Sequence, residues 1–246
     1  MDEPSIRKAA QALLEVRRGG AAIAALPAGC EPASLADAYA IQDEVIRHLS
    51  PVAGWKIAPL ADDSGLWCAP LHRDGVLASP TIDGRTLRKP GVEVEIAFRM
   101  TRDLAAGTSG RALCDAMELV PLYEVLSPRF VDLTSAPFFS NIADGYGSRA
   151  ISLGAPIADW AGTDRSSLHI SIVVDGETID SFGYGARLDM AIGLMERFAR
   201  RFEGRADVMR KNMVVTTGAM RFFAPGRRIV ADYGPFGVNE LTIENL

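Results

Sequence analysis

The period of the apolar positions changes once along the chain, and the change separates two textures. Ile6, Ala9, Ala10, Leu13 and Leu14 share one face of a helix predicted over residues 6–18. Gly19-Gly20 ends it. Ser34 suits the N-cap of a second helix, with Asp37 three residues on and a stripe of Leu35, Ala38, Val45 and Leu49. From about Val52 the apolar runs shorten and are divided by Gly, Pro and Asp, the texture of strands and turns. Strands are predicted over residues 92–100, 120–126, 168–174, 212–216, 229–233 and 239–243, with a two-residue hairpin turn at Asp175-Gly176. A third helix interrupts them, because Ala191, Leu194, Met195, Phe198 and Phe202 line one face. Helices first and strands after make an α+β protein. Residues 1–50 are expected to pack as a helical section on a strand body of residues 51–246, since two helices of this length bury too little to fold alone.

Composition narrows the class without naming a chemistry. The 246 residues suit one large domain, and 48% hydrophobic with 23% charged residues is ordinary for a protein with a core. A net charge of −5 argues against a nucleic-acid partner, which selects a basic face. No apolar run reaches the roughly 20 residues of a membrane span, and the charged N-terminus has no secretory h-region. Cys30, Cys68 and Cys114 are scattered and odd in number, as expected of a reduced, cytoplasmic protein. With His48, His72 and His169 the only histidines, histidine-rich zinc chemistry is nearly excluded. Gly183-Tyr184-Gly185 opens a dinucleotide-like pattern, but Leu188 takes the place of its third glycine, and no nucleophile elbow or P-loop occurs.

Three segments carry candidate chemistry. In GVEVEIAFRM, residues 91–100, Val92, Val94, Ile96 and Phe98 alternate with Glu93, Glu95, Ala97 and Arg99. A strand with one wet face accounts for such charges, yet two glutamates on one face repel unless a cation lies between them. Glu124 is the only charge in LVPLYEVL, residues 119–126, where an unpartnered carboxylate is costly. Either an arginine (Arg129 is near in sequence) or a metal ion would answer that cost. Three carboxylates without a histidine describe an oxygen-lined site of the Mg²⁺ or Mn²⁺ type. Lys56 mirrors Glu124 as the only charge in VAGWKIAPL, residues 52–60. It either snorkels from a strand edge or stands beside a substrate carboxylate and takes part in proton transfer. Thr216-Thr217-Gly218 ends an apolar strand, as a plain turn or as hydroxyls offered to a ligand. Asp144, in NIADGYGS, reads as a turn residue, and Trp55, Trp67 and Trp160 as core or rim.

Taken in order, these motifs resemble the 2-oxopent-4-enoate hydratase and 2-oxo-3-hexenedioate decarboxylase group of the fumarylacetoacetate hydrolase superfamily. ALLEVRRGGAAI and LADAYAIQ are similar to that group's N-terminal helical section, GWKI to its lysine-bearing strand and VEVEIAF to its Glu-x-Glu strand. YEVLSPRF is similar to its Glu and Asp-Ser-Arg segment, NIAD to the start of its Asp-Asn-Ala-Ser loop, and VVTTGAM with APGRRIVADYGPFG to its closing strands. The resemblance covers essentially the whole chain. It implies a mixed β-roll with a helical N-terminal section, assembled as a homo-oligomer. It further implies Glu93, Glu95 and Glu124 as ligands of Mg²⁺ or Mn²⁺, Lys56 and Asp144 as catalytic residues, and Arg129, Thr217 and Gly218 as contacts to a small 2-oxo acid.

The departures from the group fall in the pocket. ADDSGLWCAPL is short and lacks an Asp-Tyr-Gly stretch, Asp144-Gly145-Tyr146-Gly147 replaces Asp-Asn-Ala-Ser, and Ser127-Pro128 replaces Asp-Ser. Arg187-Leu188-Asp189 stands where the group has Gly-His-Pro. The implied activity is hydration of a short unsaturated 2-oxo acid such as 2-hydroxypenta-2,4-dienoate, in the breakdown of aromatic compounds. Decarboxylation of a 2-oxo dicarboxylate, hydrolysis of a diketo acid and a non-catalytic binding role are the alternatives. Pro51 and Gly75 stand three residues after His48 and His72, so neither opens the His-x-x-Glu pair of the hydrolases.

Overall fold

Local capping signals set where the first helices begin. The computed structural model describes residues 1–246 apart from Ala158 and Asp207. Asp2 caps α1 (Glu3–Arg17) by accepting from the Ser5 N–H at 2.9 Å, with Pro4 in the first turn. The helix thus starts three residues before the apolar stripe that announces it. Ser34 caps α2 (Leu35–Ile46): the Asp37 N–H donates to Ser34 Oγ at 3.1 Å, and Asp37 Oδ2 accepts from the Ala33 N–H at 3.2 Å. Leu49 lies beyond α2.

The body follows as β1 (Val52–Pro59), β2 (Leu66–His72), β3 (Thr81–Asp83), β4 (Gly91–Met100), β5 (Leu104–Ala105), α3 (Gly110–Cys114), β6 (Met117–Leu126), α4 (Phe138–Ala143) and β7 (Ser148–Leu153). Then come β8 (His169–Val174), β9 (Glu177–Gly183), α5 (Gly185–Ala199), β10 (Val208–Met209), β11 (Val214–Thr216), β12 (Arg221–Phe223), β13 (Arg228–Asp232) and β14 (Val238–Glu244). A seven-stranded mixed sheet runs β2-β1-β11-β4-β6-β7, with β12 also paired to β4. Within it β1 and β11 are parallel and the other pairs antiparallel. A five-stranded sheet runs β3-β14-β13-β8-β9. Asp175 (φ +51°) and Gly176 (φ +90°) form the expected hairpin turn between β8 and β9.

One face of β4 builds the main core. Val92, Val94, Ile96 and Phe98 pack with Ile170, Ile172, Ile229 and Leu241 of the second sheet and with Leu194, Met195 and Phe198 of α5. Phe202, expected on that helix, lies past its end in a left-handed turn (φ +47°) and still packs on Phe198, ring centroids 5.4 Å apart. The other face of β4 and β6 is largely dry as well. Ala97 and Leu122 bury there with Leu71, Ile151 and Val214, so the wet face allowed by the alternation is confined to the half-buried Glu93 and Arg99. The result is a mixed α+β fold with a curled sheet, as the resemblance implies. No helix among the described residues is long and apolar enough to cross a membrane.

The hydrophobic pattern did not predict β2, β7 or α4 individually. Asp144, read as a turn residue, caps the C-terminus of α4.

Ala9, Ala10, Leu13 and Leu14 meet Ala38, Ile41 and Val45 in a cluster completed by Trp67, Ala69, Phe130 and Ile142. We propose that residues 1–50 are an appendage of the 51–246 body, because six of this cluster's fifteen buried residues lie outside them. Expressed alone, residues 1–50 should give little helical circular dichroism and no cooperative melting. A cooperative thermal transition in that fragment would make it an independent unit.

Candidate metal centre

The register of two strands decides the site. Glu93 of β4 stands directly across from Glu124 of β6, and Glu95 across from Leu122, so three carboxylates share one face. One oxygen from each lies within 4.8 Å of the others. Lys56 joins them from β1: its Nζ donates to Glu93 Oε2 at 2.8 Å and lies 2.9 Å from Glu124 Oε2. Glu95 and Glu124 are 0% exposed and Lys56 5%. Glu93 is half-buried and faces an open cavity of about 360 Å³, walled by Leu126, Pro128, Phe130 and Tyr146.

The electrostatics are unbalanced. Like charges directly opposite in a sheet repel, and each buried carboxylate forgoes hydration worth several kcal/mol. Lys56 offsets one negative charge of three, leaving a formal −2. Both oxygens of Glu95 and Oε1 of Glu124 are sealed from solvent with no hydrogen-bond donor among the described residues. Burial, with the Glu124 charge beside it, holds the Glu95 carboxyl well above the usual carboxylate range, against the pull of Lys56. Burial raises Glu124 too, with Lys56 opposing. Burial alone would depress Lys56, but Glu124, Glu93 and Glu95 outweigh it, and the ammonium is held above its ordinary value. Unmet, hard oxygen ligands with a deficit of two positive charges fit a Mg²⁺ or Mn²⁺ ion.

Arg129 and Asp144 are paired with each other. Arg129 Nε donates to Asp144 Oδ1 and Nη2 to the Asp144 carbonyl, while its backbone N–H reaches Asp144 Oδ2 at 3.3 Å. Nη1 donates to the carbonyls of Ser127 at 2.8 Å and Ser148 at 3.0 Å. Both side chains are buried. They were read as a substrate contact and a catalytic group, but the donors of one are met by the other and by loop carbonyls. The pair therefore ties the segment after β6 to the loop after α4.

Thr217 and Gly218 line a separate cavity of about 100 Å³ with Ile96, Leu188 and Met220, not the one that Glu93 faces. Gly218 is left-handed (φ +98°), which lets the chain turn away from β11. Sequence reasoning named their neighbour Thr216 but did not single it out. Thr216 pairs with Lys56 on one side and Ala97 on the other, which puts its side chain on the carboxylate face. It is fully buried, and its Oγ1 has no partner among the described residues. Strand parity was the signal, since Thr216 and Thr217 must face opposite ways. Tyr146 was missed too. It stands left-handed (φ +53°) between Gly145 and Gly147, stacks on Trp67 at 4.8 Å and 15°, and lines the cavity beside Glu93.

No protein-family model and no curated protein sequence matches this chain. Its fold is of the fumarylacetoacetate hydrolase type, shared with solved enzymes of that superfamily. The 4-oxalocrotonate decarboxylase from Pseudomonas putida G7, solved with magnesium and adipate, aligns with a TM-score of 0.80 at 18% identity over 99% of this chain and 98% of its own. The 2-hydroxyhepta-2,4-diene-1,7-dioate isomerase from Mycobacterium marinum aligns with a TM-score of 0.55 at 11% identity, over 79% and 76% of the two chains. The fumarylpyruvate hydrolase from Pseudomonas aeruginosa, solved with Mn²⁺ and pyruvate, gives 0.52 at 15%, over 79% and 90%. At these identities the likeness is one of fold.

Two measurements follow. A carboxyl group raised above 4.5 in the folded state lends stability at low pH and withdraws it as pH climbs through the raised value. Metal-free protein should thus lose melting temperature as pH rises from 4.5, and Mg²⁺ or Mn²⁺ should restore more of it at each step, because the ion replaces the proton. Glu95→Gln should abolish the metal response; an unchanged response would remove Glu95 from the site. Separately, Arg129→Met leaves Asp144 buried and unpaired, and should cost about 3–5 kcal/mol in denaturant unfolding. A stable variant with only a raised KM would restore Arg129 to the substrate.

Proposed function

We propose that this protein is a divalent-metal-dependent lyase of short unsaturated 2-oxo acids and belongs to the fumarylacetoacetate hydrolase superfamily. The observation that carries the reading is the set of three buried, donor-starved carboxylates beside a lysine, at the end of an apolar-walled cavity. Glu93, Glu95 and Glu124 would hold Mg²⁺ or Mn²⁺, as two of the solved structures named above carry magnesium or manganese. Such an ion supplies Lewis-acid stabilisation of the negative charge that develops on a 2-oxo acid as it reacts.

The chain's own residues do the rest. Lys56, beside the cavity-facing Glu93, is the counter-charge for a substrate carboxylate or the group that moves a proton. Arg129 and Asp144 position the cavity wall rather than react. Leu126, Pro128 and Phe130 keep water from the substrate's carbon chain.

Hydration of 2-hydroxypenta-2,4-dienoate and decarboxylation of an unsaturated 2-oxo dicarboxylate both fit this electrostatic centre. Hydration needs a group to activate water, and Asp144, the acid–base candidate, is engaged by Arg129. That engagement, with the full-length likeness to a decarboxylase, supports decarboxylation as the second reading. Hydrolysis has less support: His48 is exposed on α2's C-terminal side, and His72 Nδ1 lies 3.2 Å from the Ser50 carbonyl. We also infer a cytoplasmic homo-oligomer without nucleic-acid or membrane partners, supported by the net charge of −5 and by exposed Val131 and Phe222 at the cavity rim.

Turnover is measured with Mg²⁺ or Mn²⁺ on 2-hydroxypenta-2,4-dienoate and on 4-oxalocrotonate, following ultraviolet absorbance and released CO₂. Loss of absorbance without CO₂ is hydration, and CO₂ from the dicarboxylate is decarboxylation. Inactivity on both, with metal bound, would leave a binding protein. Lys56→Met should lower kcat on the active substrate by about 10²-fold or more while the metal-induced rise in melting temperature persists. Wild-type kinetics in that variant would remove Lys56 from the reaction.

A further inference from the structure

A third cavity lies where the end of α1 meets the end of β2 and the start of β7. Its volume is about 210 Å³, far above the roughly 10–15 Å³ that a single buried water requires. Three arginines line it, Arg17, Arg18 and Arg149, with His72, against one carboxylate, Asp74. None of the three arginines forms an ion pair among the described residues, and Asp74 is already engaged, accepting from Ser50 Oγ at 2.6 Å. One inner donor is unmet: Arg17 Nε is sealed from solvent with no partner among the described residues, while His72 turns its Nδ1 to the Ser50 carbonyl 3.2 Å away. Arg17 spends one N–H on the Asp144 carbonyl at 3.0 Å.

We infer that this cavity is a binding site for a small oxyanion, a phosphate or a short dicarboxylate, distinct from the carboxylate cluster. The two sites have opposite needs. The cluster around Lys56 carries excess negative charge and calls for a cation, whereas this cavity gathers three guanidiniums with a single, engaged counter-charge. Guanidinium forks match carboxylate and phosphate oxygens in paired hydrogen bonds. Burial, with Arg129 and Arg149 nearby, pushes the Arg17 guanidinium down to about 9, the condition of a cation that lacks its anion. An oxyanion accepting from Arg17 Nε and from Arg149 would fill the orphaned donor and balance the charge. Because Arg17 also holds the Asp144 carbonyl, which Arg129 shares, the ligand would brace the wall of the first cavity from behind.

The test uses the full chain, freed of metal, in calorimetric titrations with inorganic phosphate and with succinate at ionic strength fixed by NaCl. One saturable site is expected for at least one of the two anions, and which one binds identifies the ligand as phosphate-like or carboxylate-like. Arg149→Gln, and Arg18→Gln where the first variant melts early, should weaken that site by about tenfold, the loss of one charge-assisted pair. Lys56→Met should leave it unchanged. Binding that does not saturate, or that survives both arginine substitutions, overturns the inference. So does binding lost in Lys56→Met, which would place the anion in the carboxylate cluster.

Discussion

Three carboxylates pressed together inside a sheet demand positive charge, and much of this molecule is arranged to meet that demand. Lys56 is in register with Thr216, and Thr216 with Ala97, four residues along β4 from Glu93. On flat-sheet spacings the Lys56 and Glu93 backbones would lie about 17 Å apart, too far for their side chains to meet. They meet at 2.8 Å. The sheet must therefore coil, and right-handed strand twist accumulating across β1, β11, β4 and β6 is the ordinary source of coiling. The curled architecture and the ion pair are two descriptions of one geometry. Leu71, Leu122, Ile151 and Val214 then dry the concave face, which lowers the local dielectric and sharpens every charge on it.

A second buried charge cluster shows what a satisfied one looks like. Arg129 and Asp144 bring one charge of each sign, and the guanidinium's remaining donors end on carbonyls of Ser127 and Ser148. Nothing is left over, so the pair serves as architecture. The glutamate cluster has unequal charge and oxygens without donors, and the Arg17 cavity has the opposite surplus. Native interiors pair nearly all their polar groups, so unpaired ones mark places where something else belongs. By that measure the molecule has two incomplete places of opposite sign, and the Arg17–Asp144–Arg129 chain of hydrogen bonds runs from the second of them to the segment after β6.

What the sequence made legible was local. Alternation in residues 91–100 placed Glu93 and Glu95 on one face, and the isolation of Glu124 and Lys56 in apolar runs marked them as costly and hence partnered. The three-dimensional meeting of these groups rested on a family likeness, because no spacing along a chain encodes a register between strands. The wet face was a fair reading of two charges and an arginine, yet Ala97 between them already favoured burial. The pairing of Arg129 with Asp144 was not legible, because spacing shows a charge and hides its partner fifteen residues away. The strand Leu66–His72 escaped because Trp, Cys, Ala, Pro and Leu follow no alternation, being buried almost throughout. The helix Phe138–Ala143 escaped because six residues without a side-chain cap leave too little periodicity.

The division of labour between sheet and loops explains where the chain departs from the pattern it resembles. Every group in the carboxylate cluster stands on a strand, with partner strands on both sides except at Glu95, whose carbonyl accepts from Tyr233 Oη instead, so its spacing tolerates little change. The cavity wall is built instead from the segment after β6 and the loop after α4, where Gly145, Tyr146 and Gly147 are left-handed in succession. A tyrosine in that conformation costs about 1 kcal/mol or more, and it persists because stacking on Trp67 and the Arg129–Asp144 tie hold the loop around it. Strain kept beside a cavity fixes the position of a ring that no strand could present at that angle. The electrostatic work thus belongs to the strand geometry of β1, β4 and β6, while the shape of the cavity wall belongs to a short loop that contributes no carboxylate to the cluster.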